Sequence, residues 1–311
     1  MNVNLKLNQA SREKNSAALS SVIAAVGLTV IKLVTGLATN SLGILAEAAH
    51  SGLDLVAAIV TLIAVRISDR PADGEHRYGH GKVENLSALF ETLLLLATCA
   101  WIIYESVQRL FFRPADVDPS FWAFLVMGVS IGVDVSRSRI LYRAARKHNS
   151  QALEADALHF STDIWSSSVV ILGLIGVVLA RTFPGLSFLQ QADAVAALIV
   201  AAIVVYISMQ LGKRTIVALL DTAPPGMAEK LQAAVQSTPK VRNCHRIRVR
   251  QSGAHYFVDV HILVDSKTRI EEVHSITDAV EQAVRKELPR ADVTVHPEPD
   301  TPDHRPTCSE L

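Results

Sequence analysis

Residues 41–54 read SLGILAEAAHSGLD and residues 156–163 read DALHFSTD, and both stretches lie in strongly apolar surroundings. Each contains a histidine that is followed four residues later by an aspartate: His50 and Asp54 in the first, His159 and Asp163 in the second. Residues four apart lie on the same face of a helix, so each copy directs an imidazole and a carboxylate the same way. Ionisable side chains inside a membrane helix are costly and usually mark an ion pathway.

The two pairs together predict a metal site. Two facing helices would supply two nitrogens and two oxygens, a tetrahedral set of the kind that Zn²⁺ accepts. The two carboxylates would also offset the charge of a divalent ion where the dielectric constant is low. In the simpler interpretation, each histidine pairs with its own aspartate to satisfy buried polar groups. Repetition of one spacing on separate helices favours the metal site.

The composition predicts an integral membrane protein with a soluble part. Hydrophobic residues make up 50% and charged residues 19% of the 311 residues, and the mean hydropathy is +0.28. The formal net charge is zero, whereas a nucleic-acid partner would need a concentrated basic face. The three cysteines, Cys99, Cys244 and Cys308, are scattered, so neither a disulfide framework nor a CxxC zinc module is predicted.

Six apolar runs predict six membrane-spanning helices of about 20 residues each. The runs lie near residues 17–37, 41–65, 86–110, 121–135, 153–180 and 194–217. The fourth is the weakest, because its apolar part is short and ends at Asp134. The first is too long for the core of a signal peptide and is expected to be retained. Lysine and arginine collect before the first helix, between the second and third, and between the fourth and fifth, which predicts cytoplasmic N- and C-termini.

A soluble domain is predicted from about Asp221 onward. Helical and alternating patterns follow one another in the order αββαβ, which is typical of a small sheet with helices on one face. The expected organisation is an N-terminal cytoplasmic segment (1–15), a six-helix membrane domain (16–221), an αββαβ domain (222–299) and a flexible tail (300–311). In that tail Asp303, His304 and Cys308 are expected to be solvated rather than to form a site.

Alternation within this domain predicts which side chains share a face. In residues 245–251, Ile247 and Val249 are expected on one face of a strand, opposite three arginines. In the second strand, residues 256–264, Asp259 and His261 oppose the apolar face.

Two further groups of residues are candidate metal ligands. Asp73, His76 and His80 lie in a glycine-containing connection that permits tight turns and lets them converge on one ion, although a loop of this composition is ordinarily solvated. Five residues of the soluble domain fall at strand and helix positions where they can converge: His245, His261, His274, His296 and Glu298. Each histidine alone is compatible with an ordinary surface position.

Five other charges in the apolar runs are expected to form interhelical pairs or to reach the membrane interfaces rather than to bind metal. They are Lys32, Glu47, Glu91, Glu105 and Asp134.

With these features in place, the chain resembles the cation diffusion facilitator family from about residue 16 to residue 298. The most specific stretches are the two quoted above and residues 76–84, HRYGHGKVE. The resemblance implies a metallochaperone-like, ferredoxin-like C-terminal domain. It also implies a homodimer in a bacterial inner membrane that exports Zn²⁺ or a related ion from the cytoplasm in exchange for protons.

The resemblance assigns roles to particular residues. It implies a transport site of His50, Asp54, His159 and Asp163, a loop site of Asp73, His76 and His80, and a binuclear site for regulatory Zn²⁺ at His245, His261, His274, His296 and Glu298. It further implies an ion pair between Lys82 and Asp221. Relatives with aspartate at the first histidine are associated with iron or manganese, so His50 favours Zn²⁺, with Co²⁺, Cd²⁺ or Fe²⁺ as further substrates.

The chemistry of the ligands predicts exchange of metal for protons. Neutral imidazole is the metal ligand, so metal binding releases protons and protonation expels metal. A membrane zinc metalloenzyme is the alternative, but catalytic zinc usually keeps one open position and the HExxH signature is absent from the sequence. A metal sensor acting through the soluble domain would leave the membrane pairs without a role. The expected function is transport, not enzymatic catalysis.

Overall fold

The protein is described by a computed structural model that covers residues 3–38, 42–112, 121–182 and 192–301. The chain divides into two compact units, Met1–Thr215 and Ile216–Leu311. The predicted tail residues Asp303, His304 and Cys308 lie outside the described residues.

The first unit is built from six long helices, as the apolar runs predict. They are α1 (Val3–Ala38), α2 (Leu42–Ser68), α3 (Lys82–Phe111), α4 (Phe121–His148), α5 (Gln151–Thr182) and α6 (Ala192–Leu219), the last of which ends in the second unit. Within the described residues, four segments are long and apolar enough to cross a membrane: Gln9–Ala38, Glu47–Ser68, Lys82–Gln108 and Ala197–Leu219. Helices α4 and α5, of 28 and 32 residues, also have the length to cross a membrane; their charged residues include Asp134 and Arg137 in α4 and Asp156 and Asp163 in α5.

Two helices extend beyond their predicted apolar runs. Helix α1 begins at Val3 rather than near residue 17, and the charged Lys14 in its added part is only 3% exposed. Helix α4 continues from its apolar part to His148, and its last turn carries Arg146, Lys147 and His148. Cations there interact favourably with the negative end of the helix dipole, which helps the polar extension to stay helical.

Small residues let the helices of the first unit pack closely. A Cβ atom at Gly36 of α1 would lie 2.9 Å from Leu45 Cδ2 of α2, so glycine permits this approach. One buried cluster joins α1, α2, α4 and α5 and contains Ala17, Ala18, Leu62, Val65, Leu141, Ala145, Ala152, Leu153, Ala157 and Phe160. A second cluster joins α3, α5 and α6 through Ala88, Ala155 and Leu211. Helix α5 is therefore held against α2, with the residues around Phe160 in the interior.

The second unit has the predicted order αββαβ. Its elements are α7 (Met227–Gln236), β1 (Asn243–Ser252), β2 (His255–Val264), α8 (Ile270–Glu287) and β3 (Ala291–Pro299). The sheet order is β1-β2-β3, with β1 antiparallel and β3 parallel to β2. Buried residues of both helices and of β2 form one core, including Leu231, Val280, Val258, Val260 and Ile262. The predicted fold class is confirmed.

A bulge interrupts the alternation of β1. His245 pairs with His261, but the next pair is Arg248 with Asp259, so β1 has one more residue than β2 in this interval. Arg246, within the bulge, has a positive φ of 49°. Unbroken alternation would place His245 on the same side as Val249, which lies in the core. The bulge instead places His245 opposite His261, on the other side of the sheet.

Candidate metal centres

The two HxxxD pairs meet between α2 and α5. His159 Nε2 lies 3.0 Å from Asp54 Oδ1, and His50 Nε2 lies 3.6 Å from Asp163 Oδ1. The contacts within each helix are longer, 3.9 Å for His50 with Asp54 and 3.8 Å for His159 with Asp163. Each histidine is therefore nearer to the aspartate of the other helix, contrary to the simpler interpretation in which it pairs with its own. We call these four residues the quartet.

The donors of the quartet point towards one another. His159 is 1% exposed and Asp54 is 8% exposed, so water reaches them little. The outer ring nitrogen of His159, Nδ1, is buried without a hydrogen-bond partner among the described residues, whereas Nε2 faces the carboxylates. Potential ligand atoms of His50, Asp54 and Asp163 all lie within 4.8 Å of one another. His159 is not part of this group of three and contacts it through Asp54, and the His50 side chain is 37% exposed. Imidazole nitrogens and carboxylate oxygens placed in this way are ligands suited to a divalent ion.

A small polar cavity opens beside the quartet. Its volume is about 40 Å³, enough for water or a partly hydrated ion. It is lined by Leu28, Lys32, Glu47, His50, Ser51, Asp54, Asp134, Asp163, Ser166 and Ser167. Three of the four quartet residues are therefore reached from this cavity.

The other charges of the membrane helices mostly have partners nearby. Lys32 and Glu47 form the expected interhelical pair between α1 and α2 at 3.2 Å. The fully buried Glu91 accepts a hydrogen bond from Thr61, which links α3 to α2. Asp134 differs from the expectation, because it pairs at 3.4 Å with Arg137 of its own helix. That pair forms three residues apart, where helical side chains are neighbours.

The connection between α2 and α3 brings its three candidate ligands together. Asp73 Oδ1 lies 3.4 Å from His76 Nδ1, and Asp73 Oδ2 lies 3.3 Å from His80 Nε2. Backbone N–H groups of His76 and Glu75 donate to Asp73 at 2.6 Å and 3.0 Å and hold the pKa of its carboxyl below its ordinary value. Gly79, with φ of 76°, provides the left-handed turn between the histidines. The ionised carboxylate and two imidazoles form a loop cluster able to hold one cation.

In the second unit, Glu298 collects three histidines from neighbouring strands. His245 pairs with His261, and His261 pairs with His296, so the three form a row across the sheet. Glu298 lies 2.8 Å from His261 Nδ1, 3.4 Å from His245 Nε2 and 3.5 Å from His296 Nε2. We call these four residues the sheet cluster. Ligand atoms of His245, His261 and Glu298 lie within 4.8 Å of one another.

The sheet cluster favours the ionised form of Glu298. Partial burial opposes ionisation, but the hydrogen bond with His261 and the charges of the imidazoles outweigh it, so the pKa of Glu298 lies below its ordinary value. His274 is not brought into this cluster. It lies exposed on α8, with Asp278 at 3.9 Å one helical turn away. Its position follows from the helical phase of α8, whose opposite face is occupied by the core residues Val273, Val280 and Val284.

The ion pair between Lys82 and Asp221 stays a prediction. Lys82 begins α3 in the first unit and Asp221 follows α6 in the second. The structure gives Asp221 a positive φ of 57°, which places it in a turn after the helix.

Sequence reasoning missed a buried ion cluster at the other end of α2. The Lys14 ammonium pairs with Asp69 and, at 2.9 Å, with Glu84, and the Ser68 hydroxyl donates to Glu84 at 3.0 Å. Lys14 and Glu84 are 3% and 1% exposed. Lys14 lies about three turns into α1, Ser68 and Asp69 lie at and just after the end of α2, and Glu84 lies in the first turn of α3. The sequence shows charged residues near the ends of all three helices, but it does not show which of these charges meet.

Comparison with known proteins identifies two matching family models. Residues 18–220 match the cation efflux transmembrane domain, and residues 223–300 match the cytoplasmic domain of cation efflux proteins. Together these models cover nearly the whole chain.

Curated relatives match over nearly their whole length. A cation-efflux pump FieF from Serratia proteamaculans is 32% identical over 297 residues, with 94% of each chain covered. The protein of the same name from Yersinia enterocolitica is 33% identical over 294 residues, again with 94% of each chain covered. That from Pectobacterium atrosepticum is 32% identical, with 91% of this chain and 92% of the relative covered. The chain thus belongs to the cation efflux family, the cation diffusion facilitators, and is an integral membrane transporter rather than an enzyme.

Proposed function

We propose that the protein exports Zn²⁺ from the cytoplasm in exchange for protons, and that the quartet is its transport site. The observation that carries this proposal is the cross-helix arrangement, in which His159 approaches Asp54 and His50 approaches Asp163. Two nitrogens and two oxygens on two helices form a ligand set suited to Zn²⁺. Co²⁺, Cd²⁺ and Fe²⁺ are secondary substrates, because imidazole and carboxylate ligands also accept them.

Protons are the exchanging ions. Zn²⁺ requires both imidazoles in their neutral form, so protonation of His50 and His159 competes with metal. Two bound protons leave the site with the same charge as one Zn²⁺. This equivalence supports exchange of one Zn²⁺ for two protons at the quartet.

The loop and sheet clusters act on the cytoplasmic side. We place both termini and the αββαβ domain in the cytoplasm of a bacterium and the six helices in its inner membrane, in a homodimer. The loop cluster collects metal near the end of α2. Regulatory Zn²⁺ bound at the sheet cluster stabilises one arrangement of the dimer through differential affinity.

For this function we keep the domain boundaries that the sequence predicts. The membrane domain comprises residues 16–221 and the cytoplasmic domain residues 222–299. The matches to two separate family models, which meet between residues 220 and 223, support this division.

Transport in proteoliposomes tests the proposal. Protein reconstituted with a metal-sensitive dye inside the vesicles is expected to move Zn²⁺ faster when an opposing proton gradient is imposed. Asp54→Asn and Asp163→Asn should each reduce the rate at least about a hundredfold, whereas Asp259→Asn, an exposed carboxylate on β2, should leave it unchanged. Equal rates with and without the proton gradient would contradict the exchange. Loss of transport in His261→Ala but not in Asp54→Asn would instead favour a sensor acting through the second unit.

A further inference from the structure

A lysine is buried beside the quartet. Lys32 of α1 is 5% exposed, and its ammonium donates to Ser51 Oγ at 2.8 Å and pairs with Glu47 Oε2 at 3.2 Å. Both partners belong to the turn of α2 that also carries His50. A buried ammonium is costly unless it is paired, so this position calls for a reason beyond packing.

Lys32 shares the cavity of the quartet. Lys32, Glu47 and Ser51 line the same 40 Å³ space as His50 and Asp54. The charge of Lys32 is near enough to interact electrostatically with Asp134 and Asp163 across this space.

Helix α1 holds the ligand-bearing turn of α2 at two points. Besides the bond from Lys32 to the Ser51 hydroxyl, the Thr29 hydroxyl shares its one proton between the backbone carbonyl of Ala25, at 2.8 Å, and that of Ser51, at 3.0 Å. Ser51 directly follows His50 and precedes Asp54 by three residues. The ammonium is therefore fixed in relation to two of the four proposed ligands.

Lys32 reduces the negative charge around the cavity by one. Four carboxylates line it, those of Glu47, Asp54, Asp134 and Asp163. Two of these charges are offset, one by Lys32 and one by Arg137, which pairs with Asp134. With all four carboxylates ionised, two negative charges remain, which equals in magnitude the charge of one divalent cation. Without Lys32 a third negative charge would face the cation at low dielectric, where attraction is strong.

We propose that Lys32 is a charge-setting residue that matches the cavity to divalent cations and keeps their binding weak enough for release. The ammonium limits the negative charge that faces the bound ion, and Glu47 and Ser51 keep it in place. The inference rests on the proposed transport site and adds to it a residue of α1 that does not coordinate the metal.

Single and double substitutions separate this electrostatic role from a structural one. Full-length protein that carries Asp73→Asn and Glu298→Gln, which remove a ligand from the loop cluster and from the sheet cluster, is titrated with Zn²⁺ by calorimetry so that the Kd is that of the quartet. Transport is followed in proteoliposomes at saturating Zn²⁺. Lys32→Met should lower the Kd at least about tenfold and slow transport, because one repulsive charge near the dication is lost. Glu47→Gln should raise the Kd, because the ammonium then lacks its counter-charge. The double variant restores the charge balance and should return the Kd to within about threefold of the wild type.

Two variants serve as controls. Lys32→Arg keeps the charge and should retain the wild-type Kd to within a few fold. Lys213→Met removes an exposed lysine of α6 and should change neither Kd nor transport rate.

Other outcomes would overturn the inference. Weaker binding in Lys32→Met without recovery in the double variant would assign Lys32 a purely structural role. An unchanged Kd in Lys32→Met, with binding abolished in Asp54→Asn, would remove this inference and leave the transport site intact. Retention of binding and transport in Asp54→Asn would overturn both.

Discussion

His159 Nε2 lies 3.0 Å from Asp54 Oδ1, closer than the 3.8 Å to Asp163 of its own helix. The strongest polar contact of the quartet therefore joins α5 to α2 rather than stabilising either helix alone. Any movement that separates these helices must also separate the proposed ligands. At the proposed transport site, metal affinity would therefore depend on how α2 and α5 are arranged.

His50→Asp is expected to shift the selectivity of transport towards Mn²⁺ and Fe²⁺. The substitution replaces a nitrogen ligand with an oxygen ligand and adds a negative charge, and carboxylates suit harder ions. Competition of Mn²⁺ with Zn²⁺ in proteoliposomes measures the change, which should be at least about tenfold in the ratio of transport rates. His255→Asp, at an exposed position in β2, is the matched control. An unchanged ratio would show that His50 does not set the selectivity.

Lys14→Met is expected to destabilise the first unit strongly. The substitution leaves the carboxylates of Glu84 and Asp69 without their cation, and breaking a buried ion pair in this way costs about 3–5 kcal/mol. Unfolding in a titration with sodium dodecyl sulfate measures the free energy of unfolding. Lys147→Met removes an exposed lysine that also pairs with a carboxylate, and its effect should be small. Similar effects of both substitutions would contradict a special role for the buried cluster.

Gly79→Ala is expected to weaken metal binding at the loop cluster. Gly79 has φ of 76°, a conformation that costs a residue with a Cβ atom roughly 1–2 kcal/mol. The strained turn should displace His76 or His80 from Asp73. Binding of Zn²⁺ to full-length protein that carries Asp54→Asn and Glu298→Gln isolates the loop cluster. Gly74→Ala, where an added Cβ meets nothing within 4 Å, should retain the affinity.

Glu298→Gln is expected to lower the stability of the metal-free second unit in a pH-dependent way. The folded-state pKa of Glu298 lies below its ordinary value of 4.5, so its contribution to stability is fully present above that pH. The contribution is lost as the pH falls through the lower folded-state value. Calorimetric unfolding temperatures of wild type and variant should therefore differ at pH 6 and converge as the pH falls below 4.5.

The exposed Glu271 provides the control for this measurement. Glu271→Gln removes a carboxylate whose partner, Arg269, lies 3.7 Å away on the surface, and its effect should be small at both pH values. If the difference in unfolding temperature between wild type and Glu298→Gln grew as the pH fell, the predicted pH dependence would be wrong.

Much of the fold follows from local patterns. Apolar runs of membrane-spanning length predict six long helices, and the alternation around Val258 and Val260 predicts the strands of the second unit. The spacing of His50 with Asp54 was also sufficient to place an imidazole and a carboxylate on one helical face. These properties depend on residues within a few positions of one another, which the sequence displays directly.

The parts of the fold and of the candidate sites that the sequence does not predict depend on contacts between distant segments. Lys14 meets Glu84 across 70 positions of the chain, and nothing near either residue indicates that pairing. His274 has the same side chain as His261 but lies on a helix whose phase turns it towards solvent. The quartet differs from both, because the repeated spacing suggested that its two halves meet.

The bulge in β1 has a consequence for how this domain tolerates changes in length. Cys244 faces the core and the neighbouring His245 faces Glu298, while the additional residue at positions 246–247 lets Val249 return to the core. Deleting one residue there would restore simple alternation and put His245 and Val249 on the same side of the sheet. The strand could then bury Val249 in the core or place His245 against Glu298, but not both. The number of residues in this strand is thus constrained as firmly as the identity of the histidine it presents.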